Sequence, residues 1–561
     1  MTTAGAIAAT FCSTLVDEWV RAGVRHAIVA PGSRSTPLAL AVMRAPEISV
    51  QVFHDERSAG FAGLGIGLST GVPAVVLCSS GTAGAHFYAA IIEAHLSNVP
   101  LIVCTADRPP HLRDISAPQT IDQTKMFGDA VRWFHDPGVP TESTSETWRA
   151  LASRVFISTL GARPGPVHLN LPFDEPLFGE PLALPEARDH EWSLRVRGNN
   201  WSESDIKLFS QSCSGKTGVF VAGKGTPATL LQLAEQLSWP IFADPRSGLR
   251  REHPNVIIAF DPILRAERFV SVANPEVIVH VGEAPASKVL SQWTRKSHAP
   301  VLHLGESETV VDPLHRVAIS FVGNLGEFCA LAAAGAHSCD AEWLTRWKKA
   351  DVVASNVIET WVAQHWSEIS VSHTVSRVLL AGSQCVVSSS MPIRDLEWFG
   401  GAMTDVVVHS NRGANGIDGV VSTAVGVALG SGATTFLLIG DIACIHDSNG
   451  MWDMKRRDVD VRIVVTNNDG GAIFSFLPQA REVDAEVFEK IYGTPHGVSF
   501  ASLAHAHGIK YCAVTSVQEL DAACQELGPI LIEARFERSA DVAQHEDLNA
   551  AVIRALEEAT A

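Results

Sequence analysis

The chain has 561 residues, 46% hydrophobic and 19% charged, with a formal net charge of −18. That is too long for one core, ordinary for a globular protein, and the wrong sign of charge for a nucleic-acid partner. No run of 18 apolar residues exists, so no insertion into a membrane is expected.

Near the N-terminus Asp17, Glu18 and Arg21 interrupt the apolar stretch, which argues against a signal peptide. The ten cysteines form no C-x-x-C pair, as expected for reduced thiols in a cytoplasmic protein. An anionic ligand would have to be met by a local cluster of Arg and Lys working against the global field.

In chain order, the first block alternates short apolar runs with longer helical stretches. The runs are His26–Ala30, Ser49–Phe53, Ala74–Cys78 and Leu101–Thr105, and they exit into "VAPGSRS", "LCSSGTAG" and "VCTADRPP". This pattern predicts a parallel sheet with ligand-binding loops at the strands' carboxyl ends. An acidic, Pro-rich stretch from Leu171 to Trp192 reads as a linker.

The second block opens with "GVFVAGKGTP" near Thr217 and ends around Ala334. Its Gly-x-Gly is a fragment of a dinucleotide fingerprint and reads as a structural turn. A helical connector with Trp343, Trp347 and Trp361 leads to the third block, whose strands are Cys385–Ser388, Asp405–His409, Thr435–Ile439, Val461–Thr466 and Ile530–Glu533. The expectation is three open α/β domains, over 1–180, 195–340 and 345–561.

The chemistry starts at "FLLIGD". A buried strand that ends in an acid costs free energy unless something pairs with the carboxylate. Asp441 is followed, one crossover helix and one strand later, by "TNNDGG", so Asp441 and Asn468 can emerge on the same sheet edge. With the Gly470 carbonyl they form a half-shell of hard oxygen ligands. Mg²⁺ (or Mn²⁺) completes such a shell with phosphate oxygens and water. The helix that can start after Asp441 suits a diphosphate. Taken singly, a helix cap at Asp441 and a plain turn at "NNDGG" are the simpler readings; their spacing favours the metal.

This Gly-Asp…Asn-Asn pairing resembles the diphosphate-and-Mg²⁺ motif of thiamine diphosphate (ThDP) enzymes. The resemblance implies a glutamate at N1′ of the aminopyrimidine. Glu56, in "FHDERSAGFAGLGIGLSTG", follows a strand and opens a small-residue helix; taken alone it reads equally as an acid answering the helix dipole. "SSGTAG" would border the pyrimidine with Gly81 and Thr82, and Pro31 and Gly440 would also line the cofactor.

Arg and polar residues recur at predicted strand ends: Ser33 and Arg34, Arg108, Gln119, Ser390 and Arg394, and Arg412, with Lys288 from the middle block. Arg makes bidentate contacts with carboxylates, so the set suggests substrates carrying several of them; each Arg alone reads as a surface side chain or an ion pair.

"APGSRSTPL", "HDERSAGF", "SSGTA", "TADRPP", "SNRGANGIDG" and "NNDGGAIFSFLP" together resemble the 2-succinyl-5-enolpyruvyl-6-hydroxy-3-cyclohexene-1-carboxylate synthase family. The likeness runs from about residue 5 to about 535 and is weak in the middle block. It implies ThDP- and Mg²⁺-dependent decarboxylation of 2-oxoglutarate and addition of the succinyl unit to isochorismate, in menaquinone biosynthesis. It places Glu56 at N1′, and Asp441, Asn468 and Gly470 on the metal. Ile417 would prop the cofactor, with Ile473, Phe474 and Leu477 as apolar lining. Ser390, Arg394 and Arg412 would take the succinyl side; Ser33, Arg34, Arg108, Gln119 and Lys288 the isochorismate side. Pro118 stands where the family usually has Asn, and Val289 where some members have Arg. A homodimer or homotetramer with sites at the subunit interface is implied.

Alternatives from the same residues are another ThDP carboligase such as acetolactate synthase, and a catalytically silent ThDP-fold binding subunit. An NAD-dependent oxidoreductase would rest on "GKG" alone.

Overall fold

The computed structural model describes residues 3–194, 201–309 and 311–560; the expected start of the second domain, residue 195, lies outside them. Three six-stranded parallel sheets follow one another along the chain. The first holds β1 (His26–Val29), β2 (Ser49–Val52), β3 (Ala74–Cys78), β4 (Leu101–Asp107), β5 (Trp133–His135) and β6 (Pro166–Pro172). The second holds β7 (Gly218–Ala222), β8 (Ile241–Ala243), β9 (Val256–Ile257), β10 (Val277–Val281), β11 (Val301–Gly305) and β12 (Val317–Val322). The third holds β13 (Gln384–Val387), β14 (Val407–His409), β15 (Thr435–Gly440), β16 (Val461–Asn467), β17 (Lys510–Val514) and β18 (Ile530–Arg535). Central strands such as β3, β4 and β7 are buried throughout, as their unbroken apolar runs require in sheets covered on both faces.

The first sheet has the order β2-β1-β3-β4-β6-β5 and the third repeats it as β14-β13-β15-β16-β18-β17. The strand order reverses between β1 and β3, and again between β13 and β15. Ligands of open α/β sheets bind at such reversals, outside the strands' carboxyl ends. Those ends carry Pro31–Arg34 after β1, Ser79–Thr82 after β3, Ser388–Ser390 after β13 and Asp441 after β15. The second sheet, β12-β11-β10-β7-β8-β9, reverses between β7 and β10. There the first glycine of the "GKG" turn is packed tight: a Cβ on Gly223 would lie 1.7 Å from the Glu283 carbonyl oxygen, and Glu283 N donates to Lys224 O at 2.9 Å.

The connector is one helix, Ala341–Gln364. Its buried Trp347 meets Phe242 and Phe269 edge-on, with ring centroids 4.9 and 5.0 Å apart. The same core takes in Leu548, Val552 and Leu556 of the last helix, Arg538–Thr560.

Compactness divides the chain differently from the sheets. One unit comprises Met1–Arg197, Asn411–Thr435 and Ala443–Val461; the other comprises Gly198–Ser410, Phe436–Ile442 and Arg462–Ala561. The helix Val420–Ser431 belongs to the first unit because it lies against the helix Glu56–Thr70. Their backbones approach so closely that a Cβ on Gly65 would sit 2.1 Å from Thr423 O, and one on Gly426 2.0 Å from Ala62 O. Among the described residues, no helix is long and apolar enough to cross a membrane.

Candidate active site

In the second unit, β15 delivers Asp441 to the first position of the helix Asp441–His446. The side chain is 2% exposed. Oδ2 accepts from the backbone N–H of Asn468 (3.1 Å) and of Gly470 (3.0 Å), and Oδ1 from Ile442 N (2.7 Å). His496 Nε2 lies 3.2 Å from Oδ2. Burial raises the carboxyl's pKa, and these hydrogen bonds act against that shift.

The turn after β16 is built for close approach. Asp469 has φ +57°, and a Cβ on Gly470 would meet Gly493 O at 2.0 Å. Asp469 Oδ1 in turn accepts from His496 N and Gly497 N at 2.9 and 2.8 Å. Asn468 Nδ2 donates to Glu368 Oε1 at 2.9 Å. The Asn468 Oδ1 atom is buried and has no hydrogen-bond partner among the described residues. An oxygen left free beside a buried carboxylate fits a hard divalent cation. No group of three His, Cys, Asp or Glu suited to a metal occurs among the described residues, so a cation here must also draw on amide and carbonyl oxygens.

Around this turn, Ile473 and Phe474 lie on the short 3-10 helix Ala472–Phe476 with Leu477 at its end, all half-buried. Phe474 packs on Tyr492 with centroids 5.3 Å apart. Ser390 has φ +76° and caps the helix Met391–Phe399, an outlier of the kind found at functional sites. Arg394 donates to Ser390 O and is half-buried; desolvation lowers its pKa, with Glu397 and Asp395 opposing. Lys288 is exposed at the start of the helix Lys288–Lys296.

In the first unit, Glu56 is half-buried and opens the helix Glu56–Thr70, capped by Asp55. Burial, with the Glu56 charge adding to it, holds the Cys78 thiol well above its usual pKa, so Glu56 stands near the end of β3. The helix start is braced by the segment 446–449. Arg57 Nη2 donates to His446 O (2.8 Å), Asn449 Nδ2 to Asp55 Oδ2 (2.8 Å) and Ser58 Oγ to Asp447 Oδ1 (3.3 Å). Asp447 is fully buried, and desolvation pushes its pKa up to about 6.

Gly81 (φ +82°) begins the turn after β3, its N–H donating to Gln123 Oε1 at 3.0 Å; Thr82 is exposed. Gln119 donates its amide to Ser80 O at 3.1 Å, holding its loop on this turn. Pro31 and Ser33 are exposed. Arg34 is not: it is 4% exposed, with Nη1 on Phe173 O (3.0 Å) and Nη2 on Glu175 Oε1 (3.1 Å). Arg108 is half-buried and gives Nη2 to Pro118 O at 3.1 Å. Half-buried Arg412 and Ile417 sit on a loop fastened by Glu93, whose carboxylate accepts from Gly413 N (2.8 Å) and Ala414 N (2.7 Å).

Sequence reasoning missed His496, Glu368, Glu93 and the 446–449 brace. Their partners are 55 to 394 residues away in the chain, and no local spacing signals them.

Three family models match: "Thiamine pyrophosphate enzyme, N-terminal TPP binding domain" over residues 10–126, "Middle domain of thiamine pyrophosphate" over 196–386, and "Thiamine pyrophosphate enzyme, C-terminal TPP binding domain" over 407–534. The fold is similar to the crystal structure of benzoylformate decarboxylase from Polynucleobacter necessarius, with TM-score 0.74, 16% identity, and 94% of this chain and 98% of that one covered. The class is therefore that of the ThDP-dependent enzymes. Among curated proteins, 2-succinyl-5-enolpyruvyl-6-hydroxy-3-cyclohexene-1-carboxylate synthase of Chloroflexus aurantiacus is 40% identical, with 96% of this chain and 95% of that protein covered. The proteins of the same name from Listeria monocytogenes and Myxococcus xanthus are each 36% identical, with 97% of this chain and 98% and 97% of theirs covered. The chain belongs to the 2-succinyl-5-enolpyruvyl-6-hydroxy-3-cyclohexene-1-carboxylate synthase family.

Proposed function

We propose that the protein decarboxylates 2-oxoglutarate and adds the remaining succinyl unit to isochorismate, giving 2-succinyl-5-enolpyruvyl-6-hydroxy-3-cyclohexene-1-carboxylate for menaquinone biosynthesis. The observation that carries this reading is 40% identity over nearly the whole length of a synthase of that name. When bound, ThDP supplies the electron sink that a 2-oxo acid decarboxylation needs.

The chain's own residues do the rest. Asp441, Asn468 Oδ1 and the Gly470 carbonyl hold a Mg²⁺ or Mn²⁺ ion, supported by the unpartnered Asn468 oxygen. Glu56 exchanges a proton with N1′ of the aminopyrimidine, supported by its place on a braced helix start. Pro31, Gly81, Thr82 and Gly440 line the cofactor, with Ile417, Ile473, Phe474 and Leu477 as apolar wall. Ser390, Arg394 and Arg412 bind the donor's carboxylates, and Ser33, Arg108, Gln119 and Lys288 the acceptor's. For Arg34 to join them it must give up Glu175, which is largely exposed and so a weak partner.

We assign the active form to a homodimer or homotetramer. Tyr88, Ile92 and Leu96 recur every fourth position on the helix Tyr88–Leu96 and are all exposed, an apolar stripe that a second copy would cover. Ten free cysteines support a cytoplasmic setting.

Donor choice tests the reading against an acetolactate-synthase-like carboligase. With ThDP and Mg²⁺ present, the protein is expected to release CO₂ from 2-oxoglutarate far faster than from pyruvate. The reverse preference would overturn the assignment.

A further inference from the structure

We propose that Glu368 is a positioning residue for the cation, acting through Asn468; the inference rests on the metal site proposed above. An amide side chain can present its oxygen or its nitrogen by a half-turn that barely changes its shape. Only the oxygen can ligate a cation, and the NH₂ end would repel one.

Glu368 resolves that choice. A carboxyl oxygen of Glu368 at 2.9 Å accepts from Nδ2, and this turns Oδ1 the other way, where it is buried with no partner among the described residues. Glu368 is itself fixed. It is 3% exposed and is the first residue of the helix Glu368–Val378, whose N-cap is Ser367. Burial, with the Asp541 and Asp395 charges adding to it, holds its pKa well above the usual carboxylate range, and a carboxyl group keeps an acceptor oxygen for Nδ2 whether charged or neutral.

A second buried polar group lies near enough for its charges to act on Glu368. His545 Nε2 is 2.7 Å from Asp395 Oδ1, and His545 Nδ1 is 3.2 Å from Asp541 Oδ1. Asp395 belongs to the helix Met391–Phe399, which also carries Arg394, and His545 to the last helix, Arg538–Thr560. Three helices thus converge on the residue that orients the amide. Partners of this kind, one step removed from a metal, commonly change affinity 10- to 100-fold when lost.

The test measures Mn²⁺ affinity by electron paramagnetic resonance at saturating ThDP, with melting temperature recorded alongside. Asn468→Ala is expected to weaken Mn²⁺ strongly. Glu368→Met keeps the volume and removes the acceptor; it should weaken Mn²⁺ by about 10-fold or more without lowering the melting temperature. Glu368→Gln retains an acceptor oxygen and should recover most of the affinity. In an Asn468→Ala background, Glu368→Met should add nothing.

Wild-type affinity in Asn468→Ala would overturn the metal site itself. A weakened Asn468→Ala beside an unaffected Glu368→Met would overturn the role of Glu368 alone. So would effects that multiply in the double variant, or equal losses of melting temperature and affinity. Should Glu368→Met not fold, Glu368→Asp, whose shorter arm withdraws the acceptor, carries the same expectation and the same refutation.

Discussion

Asp441 was legible because its oddity is local: an acid just after the apolar run Phe436–Ile439, with Asn468 one strand later at the same edge. Burial disfavours its charge, yet it accepts three backbone hydrogen bonds, so an isolated-acid penalty does not apply. With the cation proposed above carrying the diphosphate, Asp441→Ala should weaken ThDP binding rather than only slow turnover; calorimetric titration reading unchanged affinity would remove Asp441 from the site. Glu56→Gln keeps shape and loses the acid, so exchange of the ThDP C2 proton for deuterium should slow by orders of magnitude with the fold intact. An unchanged exchange rate would return Glu56 to the role of an acid answering the helix dipole. Losing one charge-assisted contact costs about 1.5–3 kcal/mol, or about 10- to 150-fold. Arg394→Ala should lose that factor in decarboxylation even without isochorismate, and stopped-flow spectra of the donor half-reaction check it. What holds Arg34 was not legible: its partners Phe173 and Glu175 lie 139 and 141 residues further along the chain, beyond the reach of any local pattern.

At the scale of elements, apolar runs placed the central strands, since strands buried on both faces need no alternation. The edge strands β5, three residues, and β9, two residues, are too short to show a period. Chain order also hid the partnership of the helices Glu56–Thr70 and Val420–Ser431. Their glycines were visible, but which glycines face which backbone is decided only by packing. Gly426→Val would drive a side chain into Ala62 O and should cost about 1–3 kcal/mol or more, read as a lower denaturation midpoint. A midpoint equal to wild type would mean that the two helices do not meet this closely in solution.

For the whole molecule, three sheets in succession were readable, but the grouping into two compact units was not, because it depends on helices crossing from one block to another. Stability should also carry a pH signature. Burial drops His168 and His409 from 6.5 to about 3, so the native state keeps them neutral while the unfolded chain takes up protons below 6.5. Their contribution is complete above that pH and is lost as pH falls toward 3, at up to about 1.4 kcal/mol per pH unit for each. Denaturant midpoints at pH 7 and pH 5 should differ less in His168→Gln than in wild type, and equal differences would contradict the assignment. Light scattering of a Tyr88→Lys/Ile92→Lys variant should report a smaller assembly than wild type.

The activity itself is tested most directly by mixing the purified protein with ThDP, Mg²⁺, 2-oxoglutarate and isochorismate, and following isochorismate loss and product mass together. The expected result is one isochorismate consumed per CO₂ released, with a product heavier than isochorismate by the succinyl unit, and neither change in Asp441→Ala. Decarboxylation that leaves isochorismate untouched, or consumption of isochorismate without 2-oxoglutarate, would contradict the proposed reaction.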